Sequence, residues 1–152
     1  MQTQQLMAES YHELEMYEEA DSIFRSIIRK DPDNYLVLNN FSYYLALRSV
    51  DLEEARIHSY HTISENPENA TFLDTYAWVL YKLGEFKEAE KYINKALEKG
   101  GKNDPDVNEH AAEIQVKLNS KQIARSFFEK AIILGGDKER LERRIEALGN
   151  EE

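Results

Sequence analysis

Two histidines, His58 and His61, lie three residues apart, with Glu54 four residues before the first and Glu65 four residues after the second. On a helix that spacing brings imidazoles and carboxylates to one face, a layout able to hold a metal ion. The sequence contains no HExxH, however, and apart from Glu9 to His12 it offers no second Glu-x-x-His with which to complete a carboxylate-bridged centre. The two residues are therefore read as surface histidines that pair with glutamates, and neither a metal nor another cofactor is expected. There is no cysteine to serve as nucleophile or thiolate ligand, and no serine sits in a G-x-S-x-G elbow. Gly100-Gly101 is not part of a phosphate-binding loop and reads as a turn. Nothing in this inventory assembles a catalytic apparatus, and the chain is read as a non-enzyme.

Composition narrows the alternatives. The 152 residues are 41% hydrophobic, with three prolines and six glycines, enough for one domain with a buried core and too apolar for a disordered chain. The formal charge of −10 has the wrong sign for a nucleic-acid surface or an anionic-membrane anchor, both of which need clustered Lys and Arg. No run approaches the roughly 18 apolar residues of a membrane span, and the first thirty residues lack a signal-peptide core. A soluble segment without membrane insertion or nucleic-acid partner is expected. Cytoplasm and periplasm are both compatible with a chain free of cysteine.

The elements that would position any site emerge from a repeat. Ala20, Ala55, Ala89 and Ala124 are separated by 35, 34 and 35 residues. Four positions after each stand Phe24, Ser59, Ile93 and Phe128, and seven positions after each stand Ile27, Thr62, Ala96 and Ala131. Upstream, Ala8, Ser42, Ala77 and Ala112 fall in register as a second set of small residues, and the turn prolines Pro32 and Pro67 are again 35 apart. Four units result, about 1–34, 35–69, 70–103 and 104–138, followed by a tail.

Each unit reads as two helices. In the third, Leu73, Tyr76, Ala77, Leu80 and Tyr81 recur at steps of three and four, and after Gly84 the pattern resumes with Phe86, Ala89, Ile93, Ala96 and Leu97. Gly84 can take the left-handed conformation that ends a helix, and Asn119 occupies the matching place in the fourth unit. The second unit has Ser49-Val50-Asp51 instead, with Asp51 predicted to cap the following helix. Strand alternation is absent, so the chain is predicted all-α. The two sets of small residues mark where paired helices cross too closely for a larger side chain.

On these residues the third unit, NATFLDTYAWVLYKLGEFKEAEKYINKALEKG, closely resembles a tetratricopeptide repeat, a pattern of about 34 residues that is small at position 8, aromatic at 17, Ala at 20 and 27 and Pro at 32. Gly101 departs from it by replacing the proline. The first unit matches through Ala8, Tyr11, Tyr17, Ala20, Phe24 and Pro32, and the second through Phe41, Ser42, Leu45, Leu52, Ala55 and Pro67. The fourth is the weakest, because Gln115 and Lys121 replace apolar residues. The wording NNFSYYLALR followed by LDTYAWVLYKLG also looks like repeats in large bacterial cell-envelope proteins. The resemblance implies a right-handed α-solenoid of four helix hairpins in a single domain, 1–152. The tail, with Leu141, Ile145 and Leu148 on one stripe, would form a capping helix over about 139–149. No cap precedes the first helix; either that helix is exposed or further repeats precede it, and the second is the expectation.

The same resemblance implies a concave groove lined by the first helix of each unit. Carried onto this chain, its lining comprises Glu9 and His12, then Asn39, Asn40 and Tyr43, then Asp74, Trp78 and Tyr81, and finally Glu109 and Glu113. Trp78, Tyr43 and Tyr81 would act as aromatic anchors and Asn39 and Asp74 as polar contacts for an extended peptide. One subclass of the family grips acidic chaperone C-termini with a clamp of Lys, Asn and Arg. Of the corresponding Gln5, Glu9, Asn40, Thr71 and Thr75, only Asn40 matches. The units and tail carry −5, −3, +1, −1 and −2 charges, so the N-terminal half would repel a carboxylate and favour a neutral or basic segment. The function expected is a non-catalytic scaffold that binds a protein or peptide. The alternative is a structural segment of a larger envelope or assembly protein, stacking on further repeats or self-associating through its N-terminal repeat.

Overall fold

The computed structural model describes residues 1–149 as nine α-helices without a strand among them. The helices are α1 (Gln2–Glu13), α2 (Tyr17–Lys30), α3 (Tyr35–Arg48), α4 (Leu52–Glu65), α5 (Ala70–Lys82), α6 (Phe86–Glu98), α7 (Pro105–Lys117), α8 (Lys121–Ile133) and α9 (Lys138–Ala147). Each odd-numbered helix through α7 packs against the even-numbered helix that follows, and the four hairpins stack in series, with α9 closing the far end against α8. This is a right-handed solenoid with a capping helix.

The eight small residues explain the stacking. Ala8, Ser42, Ala77 and Ala112 on the first helices, and Ala20, Ala55, Ala89 and Ala124 on the second, all have 0% exposure. Ser42 occupies an alanine position without leaving a polar orphan, because its hydroxyl donates to the Leu38 carbonyl at 2.7 Å, and Ser59 likewise donates to Ala55 at 2.6 Å. Larger side chains fill the flanks of each crossing; Phe24 and Phe41 stack at 5.2 Å between the first and second hairpins. In the fourth unit the out-of-pattern Gln115 is buried and donates to Glu90 of α6 at 2.6 Å, replacing an apolar contact with a hydrogen bond.

Local chemistry sets the helix starts. Asn34, Asn69, Asp104 and Asp137 each cap the next helix by accepting from a backbone N–H, at 3.3, 3.0, 2.8 and 3.1 Å respectively. Gly84 and Asn119 are left-handed, with φ +82° and +60°. Asp51 departs from expectation. It stands at the start of α4 but is itself left-handed, as is Ser49, and its carboxylate reaches Arg25 of α2 at 2.9 Å instead of capping. Two left-handed residues in one turn absorb the extra residue of that unit. Gly101 replaces proline because a Cβ there would lie 2.7 Å from the Ala96 carbonyl oxygen.

Ala89 sits fully buried at the crossing of α5 and α6. Ala89→Leu is expected to destabilise the fold by about 1–3 kcal/mol through overpacking, lowering Tm by several degrees in a circular-dichroism melt. An unchanged Tm would mean that the helices do not cross closely there.

Candidate functional site

The first helices α1, α3, α5 and α7 stand side by side along one face, and α3, α5 and α7 enclose a recess of about 310 Å3. Its walls include Asn39, Asn40 and Tyr43 from α3, Asp74 from α5, and Asp106 and His110 from α7. Asn40, Thr75 and His110, each 35 residues from the next, are one repeat position facing the same hollow. The caps Asn34, Asn69 and Asp104 fix the start of each helix and hence the phase in which these side chains point inward.

At the floor, His110 Nδ1 lies 2.8 Å from Asp74 Oδ1, and both residues are buried. Burial alone would push the His110 imidazole down, but the Asp74 carboxylate, by its charge and its hydrogen bond, with Glu109 and Asp106 behind it, raises it above the ordinary histidine value. Trp78 is stacked between Tyr81 at 4.4 Å and the His110 ring at 4.2 Å, and Tyr43 stands 6.1 Å from His110. Burial, then Asp74 and Asp106, pushes the Tyr43 phenol up to about 12, so it remains a neutral donor. Asp106 at the rim is held above the usual carboxylate range by partial burial and by its neighbour Asp104. The arrangement supplies hydrogen-bond acceptors, amides and phenol faces, which suit non-covalent recognition.

Some expected groove residues serve other contacts. Trp78 retains only 9% exposure, so it is a stacked wall behind the recess and not an exposed anchor; its Nε1 is buried with no hydrogen-bond partner. His12 stacks on Tyr44 at 3.9 Å and abuts Tyr17, packing between helices instead of lining the groove. Glu109 and Glu113 are engaged by α9: Arg140 Nη2 meets Glu109 at 2.8 Å, and Arg144 forks onto Glu113 with two bonds of 2.7 Å. Glu9 accepts from Gln5 at 3.0 Å and Asn40 at 3.2 Å, and Asn40 in turn accepts from Asn39 at 3.3 Å. Tyr81 remains half-buried beside Trp78.

The histidine pair is divided. His58 is mostly covered, at 3.5 Å from Glu54, whereas His61 turns to Asp33 at 2.8 Å, and Glu65 pairs with neither. Among the described residues no group of three or more His, Asp or Glu could hold a metal ion, and no helix is long and apolar enough to cross a membrane.

Comparison with known proteins sets this geometry in a family. The tetratricopeptide-repeat pattern matches residues 2–34 and again 70–103. Over 97 residues, 64% of this chain, the sequence is 32% identical to the TPR repeat-containing protein PA4667 of Pseudomonas aeruginosa, of whose length the chain spans 16%. A thermophilic TPR protein of Thermus thermophilus, TTC0263, superposes with a TM-score of 0.77 at 20% identity, over 95% of this chain and 79% of that one. The first TPR of Spaghetti, bound to the HSP90 peptide SRMEEVD, superposes with a TM-score of 0.67 at 16% identity, covering 78% of this chain and 92% of that one.

The raised His110 implies a definite pH response. The folded state keeps a proton that the unfolded chain releases near pH 6.5, so this contribution is complete below about pH 6.5 and is lost as pH rises through the folded value. Urea unfolding should therefore show wild type more stable than Asp74→Asn by about 1.5–3 kcal/mol near pH 6, the scale of a hydrogen bond to a charged group, and a gap that narrows towards pH 9. Burial lowers His12 and His58 in both proteins, and their opposite trend cancels in the difference. A pH-independent gap would mean that His110 is neutral in the fold.

Proposed function

Because the chain is a tetratricopeptide-repeat protein, we propose that it is a non-catalytic scaffold whose concave face binds an extended segment of another protein. The recess carries this reading: three successive first helices each contribute a wall, so a segment lying across them meets amides, carboxylates and a phenol in sequence. The preferred segment is neutral or basic. In the Spaghetti complex the bound peptide is acidic, but here Gln5 and Asn40, at two of the corresponding clamp positions, donate to the chain's own Glu9. A carboxylate arriving there would meet a carboxylate already in possession of both donors.

A second reading is favoured by a different observation. On α1, Leu6 is 58% exposed and Leu14, just past its end, is 69% exposed, apolar side chains that a further repeat or a second copy would cover. Under that reading the segment is a structural piece of a larger assembly.

The two readings differ in solution. Peptides selected from a random displayed library on the intact chain should shift NMR signals of α3, α5 and α7, and Tyr43→Ala, outside the eight crossing positions, should weaken their binding at least about tenfold, or ~1.4 kcal/mol, with the helical circular-dichroism spectrum retained. Shifts confined to α2, α4 and α6 would overturn the groove reading. Light scattering should report a monomer under the first reading; under the second, association should grow with concentration and disappear in Leu6→Ser/Leu14→Ser.

A further inference from the structure

We infer that the recess between α3, α5 and α7 is a subsite for one arginine side chain of the bound segment. This rests on the groove reading and specifies what the groove recognises first.

The chain shows three times what its own surfaces do with an aromatic ring beside a carboxylate. Arg48 lies 4.5 Å over the Tyr17 ring and bonds Asp21 at 2.6 Å. Arg25 lies 5.4 Å from the Phe41 ring centre and bonds Glu54 at 2.6 Å, and Arg144 lies 5.8 Å from Phe128 while bonding Glu113 at 2.7 Å. These three ring-and-carboxylate pairs take a guanidinium, whose flat face suits the ring and whose fork suits the acid, whereas Tyr92 with Glu88 takes the Lys91 ammonium only at the looser distance of 3.9 Å. The recess presents the same set, Tyr43 with Asp74, Asp104 and Asp106; no lysine or arginine lines it, and its own His110 is committed to one oxygen of Asp74.

An independent observation lies within the recess. Asn39, on its wall, is only 6% exposed, and its Oδ1 is buried without a hydrogen-bond partner. A buried acceptor left empty costs free energy that an incoming N–H donor recovers. His110 occupies one oxygen of Asp74, and Oδ2 takes no hydrogen bond among the described residues. Asp104 uses Oδ1 to cap α7, and Asp106 feels the His110 charge at a distance but makes no salt bridge among the described residues. Acceptors therefore surround the space from several directions. A guanidinium with five donors can answer more of them than an ammonium can, and its charge relieves the mutual repulsion of Asp104 and Asp106.

The test uses the intact chain, labelled with 15N, and acetyl-arginine amide as probe. Saturable shifts are expected at the Asn39 side-chain amide and the Tyr43 and His110 backbone signals. Acetyl-citrulline amide, which has nearly the same shape without the charge, should bind at least tenfold more weakly, and acetyl-lysine amide should fall between. The double variant Asp104→Asn/Asp106→Asn keeps a side-chain oxygen able to cap α7, and it should weaken the arginine probe at least fivefold with Tm unchanged. Equal binding of the arginine and citrulline probes, shifts clustered elsewhere, or no saturable shift overturns the subsite. If library peptides still shift α3, α5 and α7 in that event, the groove reading stands and only the arginine assignment falls; if they do not, both fall.

Discussion

The contact on which this molecule depends is the close crossing of two helices at a pair of alanines or serines. Bringing the axes together there leaves no room for a longer side chain, and the eight residues concerned have no exposed surface. Because the crossing recurs at nearly constant spacing, the hairpins stack in register, and the four first helices come to stand in a row. The groove is a geometric consequence of that row. A single bulky residue at one crossing would wedge its hairpin open and also displace the wall that hairpin contributes.

Between hairpins a second interaction takes over. Arg25 links α2 to α4, Arg48 links α3 to α2, and Arg144 links α9 to α7, in each case with a ring beneath or beside the guanidinium. The Arg48 pair is the best covered of the three, and the more exposed ones are individually weak. Their value lies in direction: a fork that reaches one carboxylate across a hairpin boundary discourages the neighbouring helix from sliding or rotating. The apolar crossings hold each pair together, and the arginines orient pair against pair.

Much of this is legible in the residues. The alanine spacing, the helix breaks at Gly84 and Asn119, and the apolar stripe of the tail follow from local rules that tertiary context leaves alone. What cannot be read there is where a polar side chain turns once its helix is packed. Asp51 has two partners within reach, the helix end behind it and Arg25 on another hairpin, and only the assembled fold decides for the arginine. His12 and Trp78 sit at groove-facing repeat positions, but a flat ring next to another ring gains more by stacking than by facing water, so both turn inward. His110 escapes a reading of the sequence because its meaning depends on Asp74, 36 residues away; the available signal is its equivalence to Asn40 and Thr75 in the repeat.

The same competition determines which stretch of the groove is left to act. Near α1, the Glu9 carboxylate is satisfied by Gln5 and Asn40. Towards the far end, Glu109 and Glu113 are taken by α9, which lays Arg140 and Arg144 along the acidic edge of α7. At both ends the groove carboxylates are engaged by the chain's own donors. In the middle, Asp106 bears the cost of partial burial beside Asp104, a cost that His110, committed to Asp74, offsets only in part, and Asn39 holds an acceptor with nothing to accept among the described residues. Asn39, the free oxygen of Asp74 and the Asp104–Asp106 pair thus converge on one hollow, where three helices can grip a single side chain.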